Sequence, residues 1–124
     1  MEGTLIVNEG SIWMPPGWIF DNVLADLAAE LQQRLPALAA RLLDGRTDRS
    51  VGYFDCASLD PAALRELLHA TERVLDRTLT AGAGSFHDPS GFPGYVRNVR
   101  DLVALLGEDP RVGTDGSSST GRLR

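Results

Sequence analysis

The stretch TLIVNEGSIWMPPGW, residues 4–18, contains a strand pattern and the point at which that pattern ends. Two short apolar runs, residues 4–7 and 11–14, flank an Asn-Glu-Gly turn, which is the pattern of a β-hairpin. The Pro-Pro-Gly sequence that follows ends the strand pattern, because these residues favour turns and proline has no amide hydrogen to give to a sheet. The sequence therefore predicts an N-terminal hairpin and a change of conformation at Trp18.

From Trp18 onward, apolar residues recur at the spacing of a helix. They are Phe20, Val23, Leu24, Leu27, Leu31 and Leu35. Pro36 cannot continue this helix, but it suits the first turn of another, so a short second helix is predicted from Pro36 to Leu43. A third strand is predicted near residues 51–56, where the chain reads Val-Gly-Tyr-Phe-Asp-Cys.

The longest predicted helix begins at Pro61, with Asp60 as its N-cap, and ends near Gly82. Its apolar residues form one continuous stripe, made of Leu64, Leu67, Leu68, Thr71, Val74, Leu75, Thr78 and Leu79. A last helix is predicted between Tyr95 and Leu106.

Strands and helices do not alternate as repeated βαβ units, so the fold class is predicted to be α+β. The expected architecture is a small, mainly antiparallel sheet, built from the hairpin and the third strand, with about four helices on one face. We expect residues 1–112 to form one globular domain. Residues 113–124 are polar and glycine-rich, which is typical of a flexible tail.

The chain has 124 residues, of which 43% are hydrophobic and 23% are charged, as in soluble globular proteins. Cys56 is the only cysteine, so an intramolecular disulfide is excluded. The sequence shows neither the pattern of a signal peptide nor an apolar run long enough for a membrane span. These features predict a cytoplasmic protein that does not contact a membrane, and they specify no oligomeric state.

The net charge of −5 comes from the first third of the chain, in which five acids precede Arg34, the first basic residue. Those acids are Glu2, Glu9, Asp21, Asp26 and Glu30. An acidic surface argues against nucleic acid as a ligand, because phosphates need clustered arginine or lysine. It suits a basic protein partner, which Asp26 and Glu30 would steer, or it simply keeps the protein soluble.

The segment AGAGSFHDPSGFPGY, residues 81–95, lies between the last two predicted helices. Its glycines resemble the start of a phosphate-binding G-x-G-x-x-G motif, but that motif must follow a strand and open a helix. Here the glycines follow a helix, so Gly82 and Gly84 are interpreted as a helix cap and a turn. No nucleotide cofactor is predicted.

Metal binding is also not predicted. Glu66 and His69 match the E-x-x-H spacing of di-iron bundles, but such sites need a second copy and further glutamates. The chain has two histidines, and His87 has no glutamate three residues before it. His69 is interpreted as a surface residue.

Cys56, His87 and Asp88 are weak candidates for nucleophilic catalysis, because a Cys-His pair can be assembled from distant parts of a chain. Cys56 has no flanking motif of a known cysteine hydrolase. The alternative is that Cys56 is a small buried apolar residue.

Recognition of a partner is the remaining interpretation of the 81–95 segment. The candidate binding residues are Phe86, His87, Asp88, Phe92 and Tyr95, together with Trp18, Asp26 and Glu30. Aromatic residues on ordered loops are frequent anchors of protein interfaces, although they can equally fold inward as a small satellite core.

The function expected from the sequence is therefore that of a small soluble protein-interaction module. One form would be an inhibitor or immunity-type partner of a basic protein. The alternative is a small-molecule binding protein or a hydrolytic enzyme that uses Cys56 with His87 and Asp88.

Overall fold

The computed structural model describes residues 3–45 and 52–112. It contains three strands, β1 (Gly3–Asn8), β2 (Ser11–Trp13) and β3 (Gly52–Asp55). Its four helices are α1 (Gly17–Leu31), α2 (Pro36–Asp44), α3 (Pro61–Ala81) and α4 (Phe92–Gly107). The α+β class is thereby confirmed, while Val51 of the predicted third strand and the predicted tail at 113–124 lie outside the described residues. No helix in the described ranges is both long and apolar enough to cross a membrane.

The three strands form a mixed sheet in the order β2-β1-β3. The predicted hairpin is confirmed, since β1 and β2 are antiparallel with Leu5 opposite Trp13. The prediction of a mainly antiparallel sheet is wrong, because β3 runs parallel to β1 with Phe54 beside Leu5. The connection through α1 and α2 carries the chain back to the end of the sheet where β1 began, as a parallel pairing requires.

One face of the sheet forms the core with the helices. Leu5 and Val7 of β1 are fully buried, and Phe20 and Leu24 of α1 are equally buried. Successive strand residues point to opposite faces. The other face is more open, since Ile12 and Tyr53 are each about half exposed.

Local signals set the ends of α3 as predicted. The Asp60 side chain accepts a hydrogen bond from the amide of Ala63 at 2.8 Å, and Pro61 begins the helix. Gly82 ends it with φ 77°, in the region that favours glycine. The chain therefore leaves α3 in a defined direction, which places the segment that follows beside α1.

Arg111 joins the end of α4 to the sheet in a group that we call the Arg111 cluster: Arg111, Asp109 and Asn8. The guanidinium donates to both carboxylate oxygens of Asp109 at 3.0 Å. It also donates to the backbone carbonyls of Val7, Cys56 and Leu59 at 2.8, 2.9 and 2.9 Å. Asn8 donates to Asp109 at 2.7 Å, so the first strand and the residues after α4 are fixed to each other.

Candidate functional site

A groove of about 780 Å³ opens between α1, the end of α3 and the segment that leads into α4. We call it the aromatic groove. Its aromatic lining consists of Trp18, Phe86 and Tyr95, and its ionisable lining consists of Asp26, Arg77, His87 and Asp88. Six of the eight binding residues predicted from the sequence thus lie around one concavity, and Phe92 packs directly behind it.

The segment between α3 and α4 is held by two short 3-10 turns, Ala83–Ser85 and Pro89–Gly91. The Asp88 carboxylate accepts hydrogen bonds from the hydroxyl and the amide of Ser90 at 2.7 and 3.0 Å. These two bonds hold the pKa of Asp88 below its usual value, so the exposed carboxylate is ionised at neutral pH. This segment therefore presents a fixed negative charge at the groove.

The loop phenylalanines turn partly inward. Phe86 meets Phe92 and Tyr95 edge to face, with ring centroids 5.5 and 5.2 Å apart. Phe86 is partly buried against the main core. The inward-folding interpretation therefore holds in part for Phe86, which also lines the groove; its role in recognition stays a prediction.

Tyr95 forms the floor of the groove and is only 3% exposed. Its hydroxyl donates a hydrogen bond to Oδ2 of Asp26 at 2.8 Å. Burial, and next the charge of Asp26, raise the pKa of Tyr95, so the phenol keeps its proton and remains the donor. This bond connects α4 to α1 directly beneath the groove.

Trp18 forms one wall of the groove and is 48% exposed. Its indole stacks on Tyr95, with centroids 6.2 Å apart and ring planes inclined by 28°. A Cβ atom at Gly91 would come within 3.0 Å of the indole, so glycine at this position lets the α4 segment approach Trp18. Trp18 is thus held in place by the fold while a large part of its surface stays open to solvent.

Glu30, the eighth predicted binding residue, lies outside the groove lining. Its carboxylate accepts a hydrogen bond from Arg73 at 2.8 Å and pairs with Arg77; we call these three residues the Glu30 cluster. The bonds from Arg73 and then Arg77 lower the pKa of Glu30. The negative charge of Glu30, one of the five acids that precede Arg34, is therefore compensated by two arginines of α3.

Cys56 is fully buried just after β3, and burial raises the pKa of its thiol to about 12. Its carbonyl accepts from Arg111, whereas the exposed His87 and Asp88 line the groove. Among the residues that the structure describes, Cys56 is not part of the groove lining. The structure therefore brings His87 and Asp88 together but does not add the cysteine to them.

Arg77 is the groove residue that the sequence reasoning missed, along with Asn22 and Thr78. Thr78 belongs to the predicted apolar stripe of α3, and nothing in the helical spacing of Arg77 or Asn22 distinguishes them from other surface positions. Their place in the groove depends on how α1 and α3 pack, which only the tertiary structure shows. In the described ranges, no group of three or more His, Cys, Asp or Glu residues could hold a metal ion.

Comparison with protein-family models, with curated proteins and with solved structures found no match to this chain. The chemistry of the groove is accordingly argued from its own side chains. It combines an exposed indole, a buried tyrosine floor, two carboxylates and one guanidinium that is already paired with Glu30. Such a mixture of apolar surface and a few fixed polar groups is typical of binding sites.

Proposed function

We propose that the protein is a small interaction module that binds a protein partner through the aromatic groove. The exposure of Trp18 carries this proposal, because a tryptophan that is 48% exposed yet stacked on a buried tyrosine offers apolar surface in a fixed position. Tryptophan and tyrosine are the residues most often found as anchors of protein interfaces.

The fixed geometry of the groove supports the same proposal. Trp18 rests on Tyr95 and against Gly91, and the loop carrying Phe86 is closed by its own hydrogen bonds. A side chain that is already held in position loses little conformational entropy when a partner binds. A partner would therefore meet a preorganised surface.

The partner we propose is basic, as the charge of the chain suggests. Asp26 and Glu30 differ in their ability to attract such a partner. Asp26 lines the groove, whereas Glu30 is paired with Arg73 and Arg77. Attraction of the partner is thus assigned to the groove carboxylates. A cytoplasmic location and the exclusion of nucleic acid as a ligand stay predictions from the sequence.

A small molecule is the second candidate ligand for the same groove. The volume of about 780 Å³ falls within the range of ligand pockets, roughly 300–1,000 Å³. Hydrolysis with Cys56 as nucleophile is not part of this proposal, because a buried thiol with a pKa of about 12 is not ionised at neutral pH.

Paired capture experiments test the proposal. Wild type, Trp18→Ala and Met14→Ala would each be used as bait in lysate of the source organism, and bound proteins would be quantified by mass spectrometry. Met14 is 54% exposed and does not line the groove, so it is a matched control. The partner so identified would then be purified and its affinity for each variant measured.

We expect Trp18→Ala to weaken binding by at least about 30-fold, as for an anchor residue worth about 2 kcal/mol, and Met14→Ala to leave it unchanged. Circular dichroism would confirm that both variants are folded. A partner retained equally by all three baits would refute binding through the groove.

A further inference from the structure

We infer that the aromatic groove accepts a cationic side chain, arginine or lysine, laid against the Trp18 indole with its charge near the carboxylates of Asp26 and Asp88. This inference rests on the proposed function and specifies which chemistry of the partner the groove recognises. It follows from the aromatic surface and from the distribution of charge around it.

The aromatic surface is suited to a cation. The face of an indole ring carries partial negative charge and attracts ammonium and guanidinium groups more strongly than the other aromatic rings do. Trp18 lines the groove, about half of its surface is exposed to solvent, and its indole stacks on Tyr95. The long aliphatic stem of arginine or lysine would cover the apolar part of this wall.

The carboxylates supply the complementary charge. Asp26 uses Oδ2 to accept from Tyr95, and a carboxylate has further acceptor positions for a ligand. Asp88 uses Oδ1 for both of its bonds from Ser90, which leaves the same capacity at its second oxygen. Both groups are held by the fold and need no rearrangement to receive a donor.

Arg77 does not reverse this charge balance. It also lines the groove, but its guanidinium pairs with Glu30, which is 15% exposed. Counting the groove lining with Glu30 gives three carboxylates, Asp26, Asp88 and Glu30, and one guanidinium from Arg77. Arg73 also pairs with Glu30, so these groups together carry three negative and two positive charges and keep a net charge of −1. An anionic ligand would meet this net negative charge.

The indole N–H signals of the two tryptophans provide a direct test by nuclear magnetic resonance. Trp13 is buried and its Nε1 donates to the carbonyl of Asn98 at 2.9 Å, so its signal reports on folding. Trp18 reports on the groove, and a Trp18→Phe variant assigns its signal. The probes are the N-acetyl amides of arginine, lysine, norleucine and glutamate, each titrated into the 15N-labelled protein.

We expect the arginine and lysine probes to shift the Trp18 signal saturably, with dissociation constants on the order of 10 mM, and to leave Trp13 unmoved. The double variant Asp26→Asn, Asp88→Asn should weaken both probes at least fivefold, since asparagine keeps an acceptor for Tyr95 but carries no charge. Asp101→Asn, on the exposed side of α4 and outside the groove lining, is the matched control.

Three results would overturn the inference: norleucine amide binding as tightly as the cations, no saturable shift with any probe, or unchanged affinity in the double variant. Partner capture separates this failure from failure of the proposed function. A partner that requires Trp18 but tolerates the double variant refutes the cationic ligand and leaves binding through the groove intact. A partner that does not require Trp18 refutes both.

Discussion

The Arg111 cluster and the Glu30 cluster both join arginine to a carboxylate, but they do so in opposite settings. In the Arg111 cluster the side chains of Arg111 and Asp109 are 22% and 1% exposed. In the Glu30 cluster the side chains of Arg73 and Arg77 are 42% and 56% exposed, and that of Glu30 is 15% exposed. The first arginine bonds inward to strands, whereas Arg77 lies at the edge of a groove.

This difference shows how one residue type serves stability in one place and recognition in another. Removing one partner of a buried charged network costs roughly 3–5 kcal/mol, because the remaining groups stay desolvated. An exposed pair contributes only about 0–1 kcal/mol, since water and salt screen it. The free energy of unfolding should therefore depend strongly on Arg111 and weakly on the Glu30 cluster.

Replacing Arg111 should have the largest effect. Arg111→Met removes the guanidinium that donates to the Asp109 carboxylate and to the carbonyls of Val7 and Cys56, and leaves the buried Asp109 charge without its cationic partner. We expect the free energy of unfolding to fall by about 3–5 kcal/mol. Urea denaturation of this variant beside Arg97→Met, an exposed arginine on α4, measures the difference. A loss below about 1 kcal/mol would show that the two clusters are energetically alike.

Acid should weaken the Arg111 cluster in a defined pH window. The hydrogen bonds from Arg111 lower the pKa of Asp109 from 3.8 to about 2. The resulting stabilisation, about 2 kcal/mol, is present above pH 3.8 and is lost as the pH falls through 2. Asp109→Asn should be less stable than wild type at pH 5, and the two unfolding free energies should converge towards pH 2. If the unfolding free energies of wild type and Asp109→Asn differed by the same amount at every pH between 5 and 2, ionised Asp109 would not be the source of this stabilisation.

Removing the Tyr95 hydroxyl should have a smaller effect. Tyr95→Phe breaks the hydrogen bond to Asp26 and leaves the ring stack with Trp18 in place. We expect the free energy of unfolding to fall by about 1.5 kcal/mol, the lower end of the range for a hydrogen bond to a charged group, because Asp26 is only half-buried. Thermal unfolding measures it, and Tyr53→Phe, whose phenol is on the exposed face of the sheet, is the control.

The smallest effect is expected at Arg73. Arg73→Gln leaves Arg77 paired with Glu30, so the free energy of unfolding should fall by less than about 1 kcal/mol. The difference from wild type should be smaller still at high salt, because salt screens the Arg73–Glu30 pair. Unfolding free energies at low and high sodium chloride concentration test this. A large loss that is insensitive to salt would mean that the Glu30 cluster is structural in the same sense as the Arg111 cluster.

The features that sequence predicts here are those encoded by neighbouring residues. Asp60, Pro61 and Gly82 set the ends of α3, and the hairpin follows from two apolar runs around a turn. The direction of β3 is not encoded in this way, because a short strand has the same composition in parallel and antiparallel pairings. Only the path through α1 and α2 decides it.

The site was predictable to a similar degree. The glycines of the 81–95 segment indicated a helix cap and a turn, and its aromatic residues identified Phe86 and Tyr95 as candidates. Arg77 and the pairing of Glu30 depend on how two helices pack, which a helical repeat does not specify. Arg111 was equally hidden, because its carbonyl partners on β1 and after β3 lie 104 and 55 residues away along the chain.

That separation has a consequence for the order of events during synthesis. The first strand leaves the ribosome long before Arg111, the residue that bonds to its Val7 carbonyl. Until then Asn8 also lacks Asp109 as its acceptor. Nascent chains that end before residue 109 should thus be easily degraded by added protease, and resistance should rise sharply once residue 111 has emerged.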